Sequence, residues 1–408
     1  MKLVTIEGGK VVKMFIEKAR GMEKDFLLFL FAGVFIGIGQ SVDGSVLNNY
    51  LKENFHIAIV QRSMLEIPRE LPGFLVFLIV GFLYALGDVR IAALANIAAA
   101  IGMFCLGIIP ANYALMILFI FIYSTGQHVF MPLSNSIGMS FANDGRLGRK
   151  LGQLSAANTA ALVISSAVLW LLFRYLHISY TVAFSIGAVA FLISSVLMFS
   201  MDVRKTGGIK NRFVFKKEYR LFYWLSVLYG ARKQIFITFG PWVLVDVFRQ
   251  KVTTMTILFF VISVSTIFFK PLIGYLIDKV GEKFVLAGEA AVLIFVCLGY
   301  VFADQFHGNI PLIVVFSCYV ADQILNSAGM ARATYLKKIA VAEEDVSPTL
   351  SAGISIDHIV SMFLPTLGGI IWYNNGQNGY KYVFFGAAVI AFINLISTMR
   401  IRIEPKEG

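Results

Sequence analysis

Long apolar runs separated by short polar segments dominate the hydrophobic pattern of this chain. A helix needs about 20 predominantly apolar residues to cross the hydrocarbon core of a bilayer. Runs of that length lie at about 26–49, 61–86, 91–109, 112–141, 149–174, 178–200, 219–247, 253–277, 284–303, 310–337, 348–373 and 380–399. The pattern therefore predicts an all-α integral membrane protein with twelve transmembrane helices.

Composition agrees with this class and excludes others. The 408 residues are 58% hydrophobic and 14% charged, whereas a soluble domain is about 45–50% apolar and about 25% charged. The net charge of +11 comes from Lys and Arg at the ends of the predicted spans, so we expect no nucleic-acid partner. Cys105, Cys297 and Cys318 lie inside predicted spans without CxxC spacing, which indicates neither a disulfide framework nor a metal site.

The connection at 201–218 predicts both the orientation and the division of the chain. It is the longest loop and is rich in Lys and Arg, which accumulate on the cytoplasmic side of membrane proteins. Both termini are therefore predicted to be cytoplasmic, with the protein in the cell membrane. The loop separates an N-terminal segment and six-helix half from a C-terminal half and tail, at 1–25, 26–200, 219–400 and 401–408.

Short internal echoes predict that the two halves are related repeats. Asn135-Ser-Ile-Gly-Met in span 4 resembles Asn326-Ser-Ala-Gly-Met in span 10, at an offset of 191. Leu154-Ser-Ala at the start of span 5 resembles Leu350-Ser-Ala at the start of span 11, at an offset of 196. Parallel repeats of this kind place the substrate site between the halves, near the middle of the membrane.

The end of span 8 carries a loop motif. It reads GYLIDKVGEK from Gly274 to Lys283 and resembles the motif G-x-L-x-D-[RK]-x-G-x-[RK] of the major facilitator superfamily. The resemblance implies twelve helices in two pseudo-symmetric six-helix halves and transport by alternating access. It also implies a cytoplasmic latch made of Gly274, Asp278, Lys279, Gly281 and Lys283.

Two departures from the family pattern matter. The first-half copy, from Gly81 to Arg90, has Ala85 in place of the motif's Asp, which argues against a first-half latch. Drug–proton antiporters of the superfamily carry G-P-x-x-G-G in span 5. Span 5 of this chain has no proline, which argues against a typical multidrug exporter.

Charged residues of both signs lie near the middle of several predicted spans. Charges at bilayer depth are costly and usually mark a pathway. In span 2, Glu66, Arg69 and Glu70 share one helical face because they are three or four residues apart. They form either a gate or proton-coupled ion pair at the cavity wall, or a salt bridge that fixes packing.

Arg232 in span 7 is predicted to bind an anionic group of the solute, because its planar fork suits a carboxylate or phosphate. Lys233 is the alternative cation, and both residues could instead neutralise acids on neighbouring helices. The remaining candidates for solute binding are Arg69, Asn135, Asn326 and Gln323.

An acid whose cationic partner changes between inward and outward states can pick up and release a proton. The candidates for proton coupling or gating are Glu66, Glu70, Asp322, Asp357, His358, His128 and Asp43. A static ion pair is the alternative for each acid, and a packing role is the alternative for His128.

These features predict a secondary active transporter that moves a small polar, anionic solute by alternating access, with the proton as coupling ion and sodium as the alternative. The expected partners are the solute, the ion and the lipid bilayer, and the expected state is a monomer. A multidrug or hydrophobic-compound proton antiporter is the alternative function. No nucleophile elbow, phosphate-binding loop or HExxH motif occurs, so we expect neither enzymatic activity nor a cofactor.

Overall fold

Twelve long helices, numbered α1 to α12 in chain order, make up most of the described chain. The computed structural model describes residues 3–141, 147–202 and 215–402. The helices are α1 (Leu3–Asn54), α2 (Glu66–Leu83), α3 (Asp88–Ile108), α4 (Tyr113–Ser140), α5 (Leu147–Tyr175), α6 (Tyr180–Phe199), α7 (Arg220–Trp242), α8 (Val252–Val280), α9 (Glu282–Phe302), α10 (Ile310–Ile339), α11 (Val346–Asn374) and α12 (Gly379–Met399). The described residues contain no strand, which confirms the predicted all-α fold.

Within the described residues, 10 of the helices are long and apolar enough to cross a membrane. Of the other two, α2 carries its charged residues in its first turns and α7 carries Arg232 and Lys233 near its middle, and charges lower the hydropathy of a helix. Both pack against spanning helices, α2 against α4 and α11, and α7 against α11 and α12. All twelve therefore belong to one membrane bundle, as predicted.

Most helix ends lie within a few residues of the predicted spans, with two exceptions. Helix α1 begins at Leu3, well before the predicted start at residue 26. Span 2 is divided, because a short helix at Ile59–Met64 precedes α2 and Leu65 lies between them. Pro68 has no N–H to donate to the carbonyl of Met64, so the helical ladder is interrupted at this position.

The packing of helices repeats between the two halves. In the first half α3 packs against α4 and α6, and α1 packs against α5 and α6. In the second half α9 packs against α10 and α12, and α7 packs against α11 and α12. The two halves meet through α2 with α11 and through α5 with α8, and these two contacts exchange under the same repeat. The predicted two-fold relation of six-helix halves is therefore present in the packing.

Glycines allow close approach of α3 and α4. An added Cβ at Gly102 would overlap the backbone nitrogen of Tyr123, and one at Gly126 would overlap the carbonyl oxygen of Ala95. Small residues at such contacts let the backbones of membrane helices pack directly. This direct contact with α3 fixes the position of α4, and α4 in turn packs against α2.

The bundle has two faces. We call one the terminal face, because α1 begins there and α12 ends there, and it carries the loops that follow the even-numbered helices. The opposite face carries the loops that follow the odd-numbered helices. At the opposite face the halves interlock, since an added Cβ at Gly369 of α11 would overlap Ser63, and one at Gly44 of α1 would overlap the ring of Phe259. Polar contacts at the same face join Asn49 to Gln250 and Lys52 to Asp246.

At the terminal face, the chain that enters α7 is anchored to the segment before α11. Lys216 lies 2.5 Å from the buried carboxylate of Asp345, and the hydroxyl of Tyr219 donates to the same oxygen at 2.8 Å. The hydrogen bond between Lys216 and Asp345 raises the pKa of the Lys216 ammonium, and burial raises the pKa of the Tyr219 hydroxyl. The contacts fix the start of the second half relative to α11.

Candidate functional site

A charged cluster joins α2 and the short helix before it to α1 and α7. The carboxylate of Glu66 is fully buried and lies 2.5 Å from Nη1 of Arg62 and 3.4 Å from Nη1 of Arg69. It also accepts a hydrogen bond of 2.7 Å from Gln234 of α7. The carbonyl of the Asn48 side chain accepts from Arg62 at 3.0 Å. Glu66 thus joins α2 to the second half of the bundle.

A second cluster lies within the second half, between α7, α9 and α10. The guanidinium of Arg232 lies 2.9 Å from a carboxylate oxygen of Asp322 and 3.5 Å from one of Glu289. It also donates to the side chain of Asn326 at 3.1 Å, and Gln323 donates to Asp322 at 3.0 Å. One buried cation is therefore shared by two buried acids.

Lys233 makes a separate ion pair. Its ammonium lies 2.9 Å from the carboxylate of Asp357 on α11, which also accepts from Ser361 at 3.2 Å. Gly230 makes room for this carboxylate, because an added Cβ there would lie only 2.8 Å from it. Adjacent helical residues project about 100° apart, so Arg232 and Lys233 reach different acids.

Glu70 lies in a third cluster, between α2, α4 and α11. Its Oε2 is 2.7 Å from Nδ1 of His358 and 4.0 Å from Nε2 of His128. The two imidazole rings lie edge to face, with centroids 5.1 Å apart. Gly73, one turn further along α2, allows this approach, because an added Cβ would lie 2.5 Å from both rings.

Arg332 of α10 differs from the cations of these three clusters. Its guanidinium stacks on the ring of Tyr229, 3.4 Å from the centroid, and its Nε is buried without a hydrogen-bond partner. Within the described residues no carboxylate lies within ion-pair distance of it. The hydroxyl of Tyr229 donates to Asn326 at 2.9 Å, which places this arginine close to the Arg232 cluster.

Three side-chain amides form a polar ladder in the first half. Gln40 of α1 donates to Gln127 of α4 at 3.4 Å, and Asn158 of α5 donates to Gln40 at 3.4 Å. Asn158 also donates to the carbonyl of Gly33 at 3.1 Å. All three side chains are half-buried, so the ladder offers hydrogen-bond donors and acceptors without charge.

The structure brings most of the predicted residues together, but in pairs that the sequence left open. Arg232 and Lys233 are both held by acids, which is the alternative interpretation of these two cations. Asp43 lies 3.9 Å from Arg69 and so faces the α2 cluster. Asn135 lies exposed on α4 with no hydrogen-bond partner among the described residues. The sequence around Asn135 resembles that around Asn326, but Asn326 accepts hydrogen bonds from Tyr229 and Arg232. The two asparagines therefore have different surroundings.

The second-half loop motif has a different geometry from the predicted latch. Asp278 and Lys279 are exposed, and Asp278 has no polar partner within the described residues. Gly281 has a φ of +87°, which favours glycine, and ends the turn before α9. The first residue of α9, Glu282, is the buried acid, and it lies 2.8 Å from Lys338 of α10.

The remaining motif residues, Gly274 and Lys283, are half-buried, and Gly274 has open space where a Cβ would be.

The first half repeats this arrangement, although Ala85 replaces the motif's acid. Gly87 has a φ of +80° and precedes α3. The next residue, Asp88, is buried and accepts a hydrogen bond of 2.9 Å from Ser136 of α4. The glycine and the following acid lie 194 residues before Gly281 and Glu282. The two copies of the loop motif begin 193 residues apart, at Gly81 and Gly274, so an alignment of the motif does not pair these residues.

Three buried residues of these clusters were not predicted, namely Arg62, Gln234 and Glu289. Each left a signal in the sequence. Arg62 precedes Glu66 by four residues, which is ion-pair spacing on a helix. Gln234 follows the two cations of α7, and Glu289 is an acid inside an apolar run.

Comparisons with known proteins agree with this architecture. The chain superposes on a mutant of the nucleoside transporter NupG with a TM-score of 0.76 and 14% sequence identity, over 92% of this chain and 99% of that one. It superposes on a bacterial homolog of the human lysosomal transporter Spinster, in an inward-facing and occupied conformation, with a TM-score of 0.68 and 16% identity, over 91% and 95% of the two chains.

No curated protein sequence matches the chain. The family model of the Major Facilitator Superfamily matches residues 29–337, which is most of the chain and includes all but the last two helices. The chain therefore belongs to the major facilitator superfamily, a family of membrane transporters.

Proposed function

We propose that the chain is a secondary active transporter that carries a small polar solute with an anionic group by alternating access, coupled to protons. The uneven pairing of two arginines carries this proposal. Arg232 is shared by two buried acids, whereas Arg332 has no carboxylate partner among the described residues. One site thus holds an excess of acid, and the other holds a cation that is free for a ligand.

Arg332 is the residue we assign to the anionic group of the solute. A guanidinium presents donors in a fork that fits a carboxylate or a phosphate with two hydrogen bonds. Stacking on Tyr229 fixes the plane of this fork. Arg232 and Lys233 are less suited, because a solute would have to displace the acids that already hold them.

The Arg232 cluster is the site we assign to proton coupling. Two carboxylates beside a single guanidinium cannot both stay ionised without cost, so one of the pair Asp322 and Glu289 binds a proton readily. Arg232 also contacts Asn326, which lies in the 3-10 turn that interrupts α10. A movement of α10 would change the contacts of Arg232 and so release or bind the proton.

Uptake into proteoliposomes tests the solute assignment. A panel of small carboxylates, phosphate esters and nucleosides identifies the transported compound. Arg332→Gln is expected to raise the KM for an anionic solute at least tenfold, because the loss of a charged hydrogen bond costs about 1.5–3 kcal/mol. Arg174→Gln, at an exposed arginine, is the matched control. An unchanged KM in the Arg332 variant would refute the assignment.

The same assay, with a pH gradient across the vesicle, tests proton coupling. Wild-type uptake is expected to respond several-fold to the gradient, and Glu289→Gln and Asp322→Asn are expected to remove that response while slow exchange of solute continues. Asp304→Asn, at an exposed acid, is the matched control. A full response to the gradient in both cluster variants would eliminate this site as the coupling site.

A neutral hydrogen-bonding solute is the second candidate. The amide ladder of Gln40, Gln127 and Asn158 favours it, because the ladder offers polar contacts without charge. One structural neighbour is named a nucleoside transporter, and nucleosides have this chemistry. Uptake of a nucleoside that is insensitive to Arg332→Gln would support this candidate over the anionic solute.

A further inference from the structure

We propose that Glu70, His128 and His358 form a binding site for a divalent transition-metal ion such as Zn²⁺, which cross-links the two halves of the bundle. The ligand atoms of the three residues all lie within 4.8 Å of one another. Two imidazole nitrogens and one carboxylate oxygen form the three-ligand set of zinc sites that keep an open fourth position. The inference goes beyond solute transport, since it assigns an inorganic ligand to residues outside the arginine sites.

The hydrogen bonds of His128 leave a lone pair on Nε2, the ring nitrogen that lies 4.0 Å from Glu70. The hydroxyl of Ser124 donates to the carbonyl of Arg69, so the Ser124 oxygen can only accept at Nδ1 of His128, 3.0 Å away. The carbonyl of Ser124 faces the same nitrogen at 3.0 Å. Nδ1 therefore carries the hydrogen, and Nε2 carries the lone pair. A histidine that binds a metal usually donates its other N–H to such an acceptor.

Nε2 of His128 and Oε2 of Glu70 are separated by a gap suited to a cation. Nε2 and Oε2 are 4.0 Å apart, which is too long for a hydrogen bond. Ligand atoms about 2.0–2.2 Å from a tetrahedral zinc ion lie about 3.3–3.6 Å from one another. Small side-chain rotations reach this geometry, if the 4.0 Å gap closes slightly and the 2.7 Å contact of Glu70 with His358 opens.

Gly73 packs against the two imidazole rings, and a cation near the Glu70 carboxylate is paired with another acid. The backbone of α2 at Gly73 presses against both imidazoles, with room for a hydrogen but not for a methyl group. Lys233, a cation that also acts on Glu70, is paired with Asp357 at 2.9 Å. Because this ion pair is neutral, it does not prevent a divalent ion from binding beside Glu70.

The site joins the two halves. Glu70 and His128 belong to the first half, and His358 belongs to α11 of the second. An ion that needs all three ligands binds best when the halves are placed as they are here. Binding is therefore expected to stabilise this conformation and to slow the exchange between conformations on which transport depends.

Titration of the purified full-length protein with Co²⁺, after removal of any affinity tag, tests the proposal. We expect one saturable site with the visible absorption of tetrahedral Co²⁺, which Zn²⁺ displaces. His128→Gln and His358→Gln are expected to weaken binding at least tenfold. The matched control replaces the exposed His56, His177 and His307 by Asn, which tolerates the positive φ of the first two.

X-ray absorption of the Co²⁺-loaded wild-type protein gives a second measurement that needs no variant. Two imidazole nitrogens and carboxylate oxygen in the first coordination shell would support the site. A shell of oxygen atoms alone would overturn the proposal. Loss of binding in the control with the exposed histidines replaced, together with retention in the variants of His128 and His358, would overturn it as well.

Discussion

Replacement of Glu66 by leucine is expected to lower the free energy of unfolding by about 3–5 kcal/mol. The substitution leaves the guanidinium of Arg62 buried without its carboxylate, and the remaining charge of a broken buried pair is costly. The amide of Gln234 loses its 2.7 Å acceptor in the same step. Reversible denaturation in mixed detergent micelles measures this free energy for the wild type and the variant.

Two further variants show whether the buried charge is the cause. Arg62→Met combined with Glu66→Leu is expected to recover much of the loss, because a buried ion pair can be replaced by apolar residues with little cost. Asp304→Leu removes an exposed acid that pairs with Lys381 and is expected to change stability by less than about 1 kcal/mol. A double variant less stable than Glu66→Leu alone would contradict the explanation.

The helices could be predicted from the sequence because a bilayer imposes a length on every span. Each apolar run long enough to cross the membrane corresponds to a helix of the bundle, including the two that contain charges. The interruption before α2 was less predictable. Pro68 signals a lost hydrogen bond, but the sequence does not show that the helix is divided at Leu65.

The types of residue at the site could be predicted, but their partners could not. A charge at mid-span is visible in the sequence, whereas its partner depends on how the helices are packed. Glu70 and His358 are 288 positions apart and meet because α2 packs against α11 across the two halves. Arg62 lies near the end of its predicted span, and Glu289 is a single acid inside an apolar run, so the sequence assigns no partner to either residue.

The packing explains how a charge cluster in one half can respond to events at the interface. Residues of α7 contact both clusters, since Gln234 reaches Glu66 of the first half while Arg232 reaches Asp322 of its own half. A displacement of α7 against α2 would therefore strain both sets of contacts at once. This is the physical link we propose between the two-half rearrangement of the transporter and the protonation of its acids.

Replacement of Gly369 by alanine is expected to reduce uptake at least about fivefold. An added Cβ would overlap Ser63, so α11 and the short helix before α2 must separate at the opposite face. Overpacking of this kind costs about 1–3 kcal/mol, which disfavours the conformation closed at that face by a factor of about 5 to 150. Spin labels at the exposed Gln61 and Tyr373 measure the separation.

A matched control and a rescue variant separate this wedge from a general loss of stability. Gly386→Ala makes the same change in α12, where an added Cβ has nothing within 4 Å, and is expected to preserve uptake. Ser63→Gly combined with Gly369→Ala removes the overlapping side chain and is expected to restore both uptake and the short label distance. If Gly369→Ala lowers uptake while the label distance stays unchanged, closure at this face is not what the substitution disturbs. A restored distance without restored uptake would instead show that closure of the opposite face is insufficient for transport.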